Sequence, residues 1–277
     1  MPISHADKAA AFRYLHERPG IFIVPNPWDA GSARMLASLG FEALATTSGG
    51  LAFSLGRPDG LARVTREETL ANVKAIVEAT PLPVSADLEN CFGDSPETCA
   101  ETILMAAKTG LCGGSIEDAT GNPDDPIYPF DLAVRRVEAA VKAARSLAIP
   151  FVLTARAENL IRGRLDLPDT IRRIQAYAEA GADVLFAPGV KTPEEITAVV
   201  SAVAPRPVNV IMGLAGTSLT LKDLVALGVK RVSLGSSLVR AAYGAFLHAA
   251  EEVRQKGTFT FAENVVPYKT FSDLLGA

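Results

Sequence analysis

The sequence predicts a (β/α)8 TIM barrel: a single domain over residues 1–277, opened by an extra N-terminal helix. Three observations predict it. Eight short runs rich in apolar and β-branched residues alternate with helical runs along the whole chain. No Gly- or Ser-rich linker divides the chain. The first strand-to-helix turn, Asn26-Pro27-Trp28-Asp29-Ala30-Gly31, lacks the glycine fingerprint of a doubly wound, dinucleotide-binding sheet.

In chain order, His5 to Glu17 reads as the opening helix. The strand candidates are Ile21–Asn26, Ala43–Ser48, Val84–Glu89, Gly114–Asp118, Phe151–Glu158, Asp183–Ala187, Val208–Met212 and Arg231–Gly235. Between them, Thr65-Arg66-Glu67-Glu68 and Thr192-Pro193-Glu194-Glu195 are capping boxes that open helices. Ser95-Pro96 supplies a cap and a first-turn proline to a helix that ends by Gly110. Phe130 to Ala148 repeats Val134, Val137, Val141 and Ala144 at helical spacing. Leu221 to Leu227 is short, and Ser237 to Lys256 is long and amphipathic. The stretch Leu51 to Gly60 reads as a long loop. Trp28 reads as a packing wedge. The tail from Gly257 is apolar for a terminus and is expected to pack on a neighbouring subunit.

Of the 277 residues 48% are hydrophobic and 21% charged, and the net charge is −4, which is ordinary globular composition. No strong basic patch is visible, so a nucleic-acid partner is not expected. No apolar run approaches the roughly 18 residues of a membrane span. The first residues lack a signal peptide's apolar stretch, so a cytoplasmic protein is expected. The three cysteines, Cys91, Cys99 and Cys112, are too sparse for a disulfide framework.

Catalytic groups of such a barrel stand at the C-terminal strand ends. In Ser85-Ala86-Asp87-Leu88-Glu89-Asn90 strand alternation puts Asp87 and Glu89 on one face, where two carboxylates repel each other unless water or a cation intervenes. Glu117 ends the fourth strand on the face of Ser115. Arg156 and Glu158 end the fifth on the face of Thr154. Asp118 lies on the outward face and reads as a solvated residue or cap. Asp59 lies in the loop after the second strand, and Asn209 near the start of the seventh. An all-oxygen cluster suits a hard cation, Mg2+ before Mn2+. The three histidines, His5, His16 and His248, all fall in predicted helices away from this rim, which argues against zinc. Ser48-Gly49-Gly50 offers unobstructed backbone N–H groups to a carboxylate or a developing oxyanion. With Arg156 facing it, the rim reads as a site for a small anionic oxo acid, with Thr46 and Asn209 among its contacts.

Five segments appear in order: Thr46-Thr47-Ser48-Gly49-Gly50, Gly56-Arg57-Pro58-Asp59, Asp87-Leu88-Glu89-Asn90-Cys91-Phe92-Gly93, Ile116-Glu117-Asp118 and Thr154-Ala155-Arg156. Together they resemble the isocitrate lyase/phosphoenolpyruvate mutase superfamily over nearly the whole chain. The resemblance implies a barrel whose last helix is exchanged between subunits, in homodimers or homotetramers. It implies Mg2+ on Asp87, with Asp59, Glu89 and Glu117 acting mostly through water. It further implies an oxo acid on Ser48, Gly49, Gly50 and Arg156. Of these residues, Arg156, Glu117 and Asp59 are expected to be catalytic. The implied reaction breaks or forms a C–C or P–C bond beside a carbonyl, through an enolate. Here the loop after the fourth strand, Ala119 to Tyr128, lacks the Lys-(Lys/Arg)-Cys-Gly-His motif whose cysteine is the acid/base of the lyases. Asn122 is its one echo of the Lys-x-Asn-Ser-type element of the phosphonomutases. Tyr128 and Cys91 are the substitutes the neighbourhood offers. The expected activity is therefore a Mg2+-dependent C–C lyase of small 2-oxo or 2-hydroxy carboxylates. The alternatives are a phosphonomutase or phosphonopyruvate hydrolase, and a homologue that binds an oxo acid without turning it over.

Overall fold

The structure, a computed structural model, describes residues 3–276. Eight parallel strands appear where the sequence places them: β1 (Phe22–Val24), β2 (Leu44–Ala45), β3 (Val84–Asp87), β4 (Gly113–Glu117), β5 (Val152–Arg156), β6 (Val184–Phe186), β7 (Val208–Ile211) and β8 (Arg231–Ser233). The helices are α1 (His5–Glu17), α2 (Ala30–Ser38), α3 (Ser48–Ser54), α4 (Arg66–Glu78), α5 (Pro96–Ala107) and α6 (Phe130–Arg145). They continue with α7 (Leu167–Glu179), α8 (Pro193–Val203), α9 (Leu221–Ala226), α10 (Ser237–Lys256) and α11 (Tyr268–Gly276).

Strand pairing runs β1-β8-β7-β6-β5-β4-β3-β2, and the seam between β1 and β2 is closed by single hydrogen bonds. The Ala45 amide donates to the Pro25 carbonyl at 3.1 Å, and Asn26 Nδ2 to the Thr46 carbonyl at 3.0 Å. Asn26 Oδ1 also accepts from the amides of Leu234 and Gly235, so one buried side chain ties together the ends of β1, β2 and β8. The apolar core lies mainly between the strands and the surrounding helices.

A smaller core of Ala9, Phe12, Leu15, Phe22, Val24, Val152 and Val184 fills the N-terminal end of the barrel, which α1 covers. His5 and Lys8 of α1 bond the carbonyls of Leu111 and Thr80, just before strands β4 and β3. His16 is buried there, edge-on to Phe12 and Phe22. Burial, then the charge of Arg231, pushes its pKa down from 6.5 to about 3. The folded chain therefore refuses a proton that the unfolded chain accepts, and the linkage has one sign. His16 leaves stability untouched above pH 6.5 and lowers it by about 1.4 kcal/mol per pH unit as pH falls toward 3. Urea unfolding at pH 7.5 and pH 5 is expected to show this loss, and His16→Gln is expected to reduce the pH slope. An unchanged slope removes the assignment.

Two helices that the sequence reading does not specify, α2 and α7, are capped by Asp29 and Asp166. The first turn of the expected loop after β2 is instead α3. Thr47 caps it, its Oγ1 accepting from the Gly50 amide, and this outweighs the low helix propensity of Gly49-Gly50. The strand expected through Glu89 stops at Asp87, because Glu89 takes a left-handed backbone with φ +46°. Among the described residues of α10 only Val239 is buried, and Phe246 and Leu247 are largely exposed. The tail helix α11 lies beside α2 of the same chain, where Arg34 donates to the Leu275 carbonyl, and leaves Tyr268 exposed. No described helix is long and apolar enough to cross a membrane.

Candidate active site

Strand alternation brings Asp87, Glu117 and Arg156 to the inner C-terminal rim from three adjacent strands. Arg156 is the hub. Its Nη1 meets Asp87 Oδ1 at 2.8 Å, its Nη2 meets Glu117 Oε2 at 3.1 Å, and its Nε donates to Glu158 Oε1 at 2.9 Å. Arg162, one helical turn beyond Glu158, reaches Glu117 Oε1 at 3.3 Å and Glu158 Oε2 at 3.6 Å. Glu158 and Arg162 thus belong to the site and complete what Arg156 and Glu117 begin. Their i, i+4 spacing was the available signal.

Ser48 joins from the start of α3, its hydroxyl donating to Asp87 Oδ2 at 3.0 Å and its amide facing the same oxygen at 3.4 Å. The Gly50 amide is taken by Thr47 and the Ser48 amide faces Asp87, so Gly49 carries the open amide of this turn. Thr46 Oγ1 accepts from the Asp87 amide, which fixes the strand end rather than facing the rim. Asp59 closes over Gly49: a Cβ there would lie 2.8 Å from Asp59 Oδ2. Arg57 holds this loop in place by a two-point bond to Glu68, at 2.7 and 2.8 Å. Gly49→Ala is therefore expected to displace Asp59 and to lower metal affinity roughly 10- to 100-fold, on the scale of losing a supporting group around a metal. Manganese titration followed by water-proton relaxation checks this, and an unchanged affinity contradicts it.

The charges are unbalanced. Asp59, Asp87, Glu89, Glu117 and Glu158 are five carboxylates around the two guanidiniums of Arg156 and Arg162. Burial raises the pKa of Asp87, but the Arg156 charge and the Ser48 hydrogen bonds outweigh it and hold Asp87 below the usual carboxylate range. Burial followed by the Asp87 charge raises Asp59, and the same causes with Asp59 added push Glu89 up to about 7. Burial and the neighbouring Glu158 charge push Glu117 well up. Among the described residues no three His, Cys, Asp or Glu side chains converge to hold a metal unaided. The donor set nevertheless fits a hard divalent cation. It is all oxygen, its acids repel one another, and Asp87 is the one already held ionised. Asp87 would hold the ion, with water bridging to Asp59, Glu89 and Glu117.

Asn209 lies a layer deeper. Its amide donates to Ser233 Oγ and accepts from Arg231 Nε, and it lines the floor of the cavity beside Asp87. Two further candidates do not line that cavity. Cys91 is fully buried in the apolar core, and burial followed by its contact with Cys99 raises its thiol pKa. Tyr128 is buried, donates to Asp94 Oδ1 at 2.6 Å, and has its pKa pushed up by burial and that bond. Asp118 is not solvated as expected but buried. It accepts from Arg173 at 3.1 Å, Tyr177 at 2.6 Å and the Glu158 amide at 2.8 Å. Arg173 and Tyr177 of α7 reach the end of β4 and cover Asp118, and that is why it stays dry.

The loop after Asp118 folds into a short hairpin, with the Thr120 amide on the Pro126 carbonyl and the Tyr128 amide on the Asp118 carbonyl. The turn after β3 is held in left-handed backbone at Glu89, Cys91 and Phe92. Buried Arg136 clamps that turn through the carbonyls of Asn90, Gly93 and Asp94.

The model of the phosphoenolpyruvate phosphomutase family matches residues 12–254. The chain is 31% identical to 2-methylisocitrate lyase of Escherichia coli over 262 residues, covering 90% of this chain and 85% of the relative. A solved protein of Burkholderia cenocepacia superposes with TM-score 0.95 at 59% identity, covering 99% of this chain and 97% of the other. Oxaloacetate acetylhydrolase, solved with oxalate, superposes with TM-score 0.87 at 28% identity, covering 99% and 95%. The motif residues, the parallel barrel and these matches agree, and the chain belongs to the isocitrate lyase/phosphoenolpyruvate mutase superfamily.

Proposed function

We propose that this chain is a divalent-metal-dependent enzyme of the cytoplasm that breaks a C–C bond beside the carbonyl of a small 2-oxo or 2-hydroxy carboxylate. The observation that carries the reading is the meeting of Asp87, Glu117 and Glu158 on Arg156 and Arg162 beside the Ser48 amide and hydroxyl, with Asp59 and Glu89 near enough to feel the same charges. Mg2+, or Mn2+ in its place, would stabilise the negative charge that the carbonyl oxygen gains as the adjacent bond breaks. Asp87 would anchor the ion, and Asp59, Glu89 and Glu117 would orient its waters. The Ser48 and Gly49 amides and Arg156 hold the carboxylate end of the acid. Asn209 acts from the floor, by holding Arg231 and Ser233. The relatives named 2-methylisocitrate lyase and 2,3-dimethylmalate lyase support a C–C lyase.

The test is a turnover screen of 2-oxo and 2-hydroxy acids with and without Mg2+. Metal-dependent release of pyruvate, glyoxylate or a related acid is expected. The family model's own name favours a second reading, in which a P–C bond is rearranged or cut. Phosphorus NMR decides it, because consumption of phosphonopyruvate replaces the first reading with the second. Tight calorimetric binding of oxalate or pyruvate without turnover of any acid would instead make the chain a binding protein.

The exposed apolar residues of α10 support a homodimer or homotetramer in which this helix and the tail pack on a partner. Phe246→Asp with Leu247→Asp is expected to shift the particle toward the 29.1 kDa monomer in light scattering. An unchanged mass would place the interface elsewhere.

A further inference from the structure

Arg231 begins β8 and lines the cavity beside Asp87 from below. It is 5% exposed and bonds Thr154, which lies two residues before Arg156 on the inner face of β5. Its guanidinium therefore sits one layer beneath the rim. Its Nε donates to Asn209 Oδ1 at 2.8 Å, its Nη2 to Thr154 Oγ1 at 3.0 Å, and its Nη1 faces His16 Nε2 at 3.3 Å. His16 Nδ1 lies 2.8 Å from the Phe12 carbonyl and so carries the ring proton, which leaves Nε2 as an acceptor. All three partners are uncharged. These bonds leave over one N–H on each terminal nitrogen.

A buried charge is ordinarily paired with an opposite one. Arg156 meets Asp87, Glu117 and Glu158, and Arg173 meets Asp118 and Asp169. Arg136 is as buried as Arg231 but clamps a turn through three carbonyls and does not line the cavity. Arg231 clamps no turn. Burial pushes its pKa down, and no carboxylate opposes the shift. Its missing counter-charge is an anion in the cavity. The rim alone does not invite one, because its carboxylates outnumber the guanidiniums of Arg156 and Arg162 and repel an entering acid.

We propose that Arg231 is a specificity-determining residue of the site, whose buried guanidinium draws the ionised carboxylate of the acid into the cavity over a neutral group of the same shape. The proposal rests on the oxo-acid reading above and deepens it by naming the counter-charge. A charge in the barrel interior is felt further than one in water, and a cleft focuses its field. Arg231 thus offsets the rim acids from beneath, as a bound metal would from above. Asn209, itself held by Ser233, fixes the guanidinium in place.

The experiment is calorimetry of the whole protein with Mg2+, titrated with pyruvate and with pyruvamide, its neutral isostere. Pyruvate is expected to bind tighter by about 100-fold. Arg231→Met is expected to cut this ratio about tenfold, and Arg231→Lys, which keeps the charge, to hold it within about threefold. A packing defect weakens both ligands alike and leaves the ratio unchanged, so the ratio reads the charge. A ratio that Arg231→Met leaves within about twofold overturns the proposal and assigns the preference to the rim guanidiniums and the metal, with the oxo-acid reading still standing. Failure of the unaltered protein to bind pyruvate or oxalate overturns both. A second measurement needs no variant. With the metal chelated, the unaltered protein is expected to keep a preference for pyruvate of about threefold or more, and a preference that vanishes with the metal also overturns the proposal.

Discussion

Asp87→Ala is expected to abolish metal-dependent turnover, by about 10^3-fold or more, the scale reached when a preorganised stabiliser of a developing oxyanion is lost. The loss has two physical sources. Asp87 is the acid that Arg156 and Ser48 hold ionised, whereas burial and like charges push Asp59, Glu89 and Glu117 toward the neutral form. It is therefore the carboxylate readiest to bind a cation at neutral pH. It also holds Ser48 and Arg156, at 3.0 and 2.8 Å, so its removal frees the groups assigned to the substrate's carboxylate. Asp87→Asn separates the two, keeping the shape and removing the charge. Manganese titration of both variants, with turnover of the acid found in the screen, is the check. Intact metal affinity in Asp87→Ala would move the metal to another carboxylate.

Asp118→Ala is expected to produce the largest loss of stability, about 3–5 kcal/mol, on the scale of breaking a buried ion pair by removing one partner. Its carboxylate is 3% exposed and serves Arg173, Tyr177 and the Glu158 amide at once. Truncation leaves the Tyr177 hydroxyl and the Glu158 amide dry and unpaired, and Arg173 keeps Asp169, at 2.7 Å, as its one carboxylate beside the Tyr128 carbonyl at 3.0 Å. Asp118→Asn keeps an acceptor oxygen and is expected to lose less. Since a domain holds about 5–15 kcal/mol in total, Asp118→Ala is expected to be recovered only at low temperature, and urea midpoints there order the two variants. A loss under about 1 kcal/mol would show that water replaces the carboxylate.

Much of the barrel was legible because its signals are local. A capping box such as Thr65 with Glu68 satisfies a helix end within four residues, and it does so here in both directions. Strand alternation likewise needed no partner to place Asp87, Glu117 and Arg156 on the inner face. Local rules failed where a distant contact overrode them. Gly49-Gly50 reads as a turn, but Thr47 caps a helix there, and Trp28 and Asp59 pack so close that a Cβ on either glycine would collide. Asp118 reads as solvated because no pattern near it announces α7, from which Arg173 and Tyr177 reach it 55 and 59 residues later.

The sequence by itself determined the order of elements, the inward acids and the missing lyase cysteine, since each is written in residue type and spacing. Only the tertiary structure decided which groups share the charge. It joined Arg156 to three carboxylates, brought in Arg162, and buried Cys91 and Tyr128 away from the cavity. The reason is physical: ionisation and burial depend on neighbours within a few ångströms, and in a barrel those neighbours come from different strands.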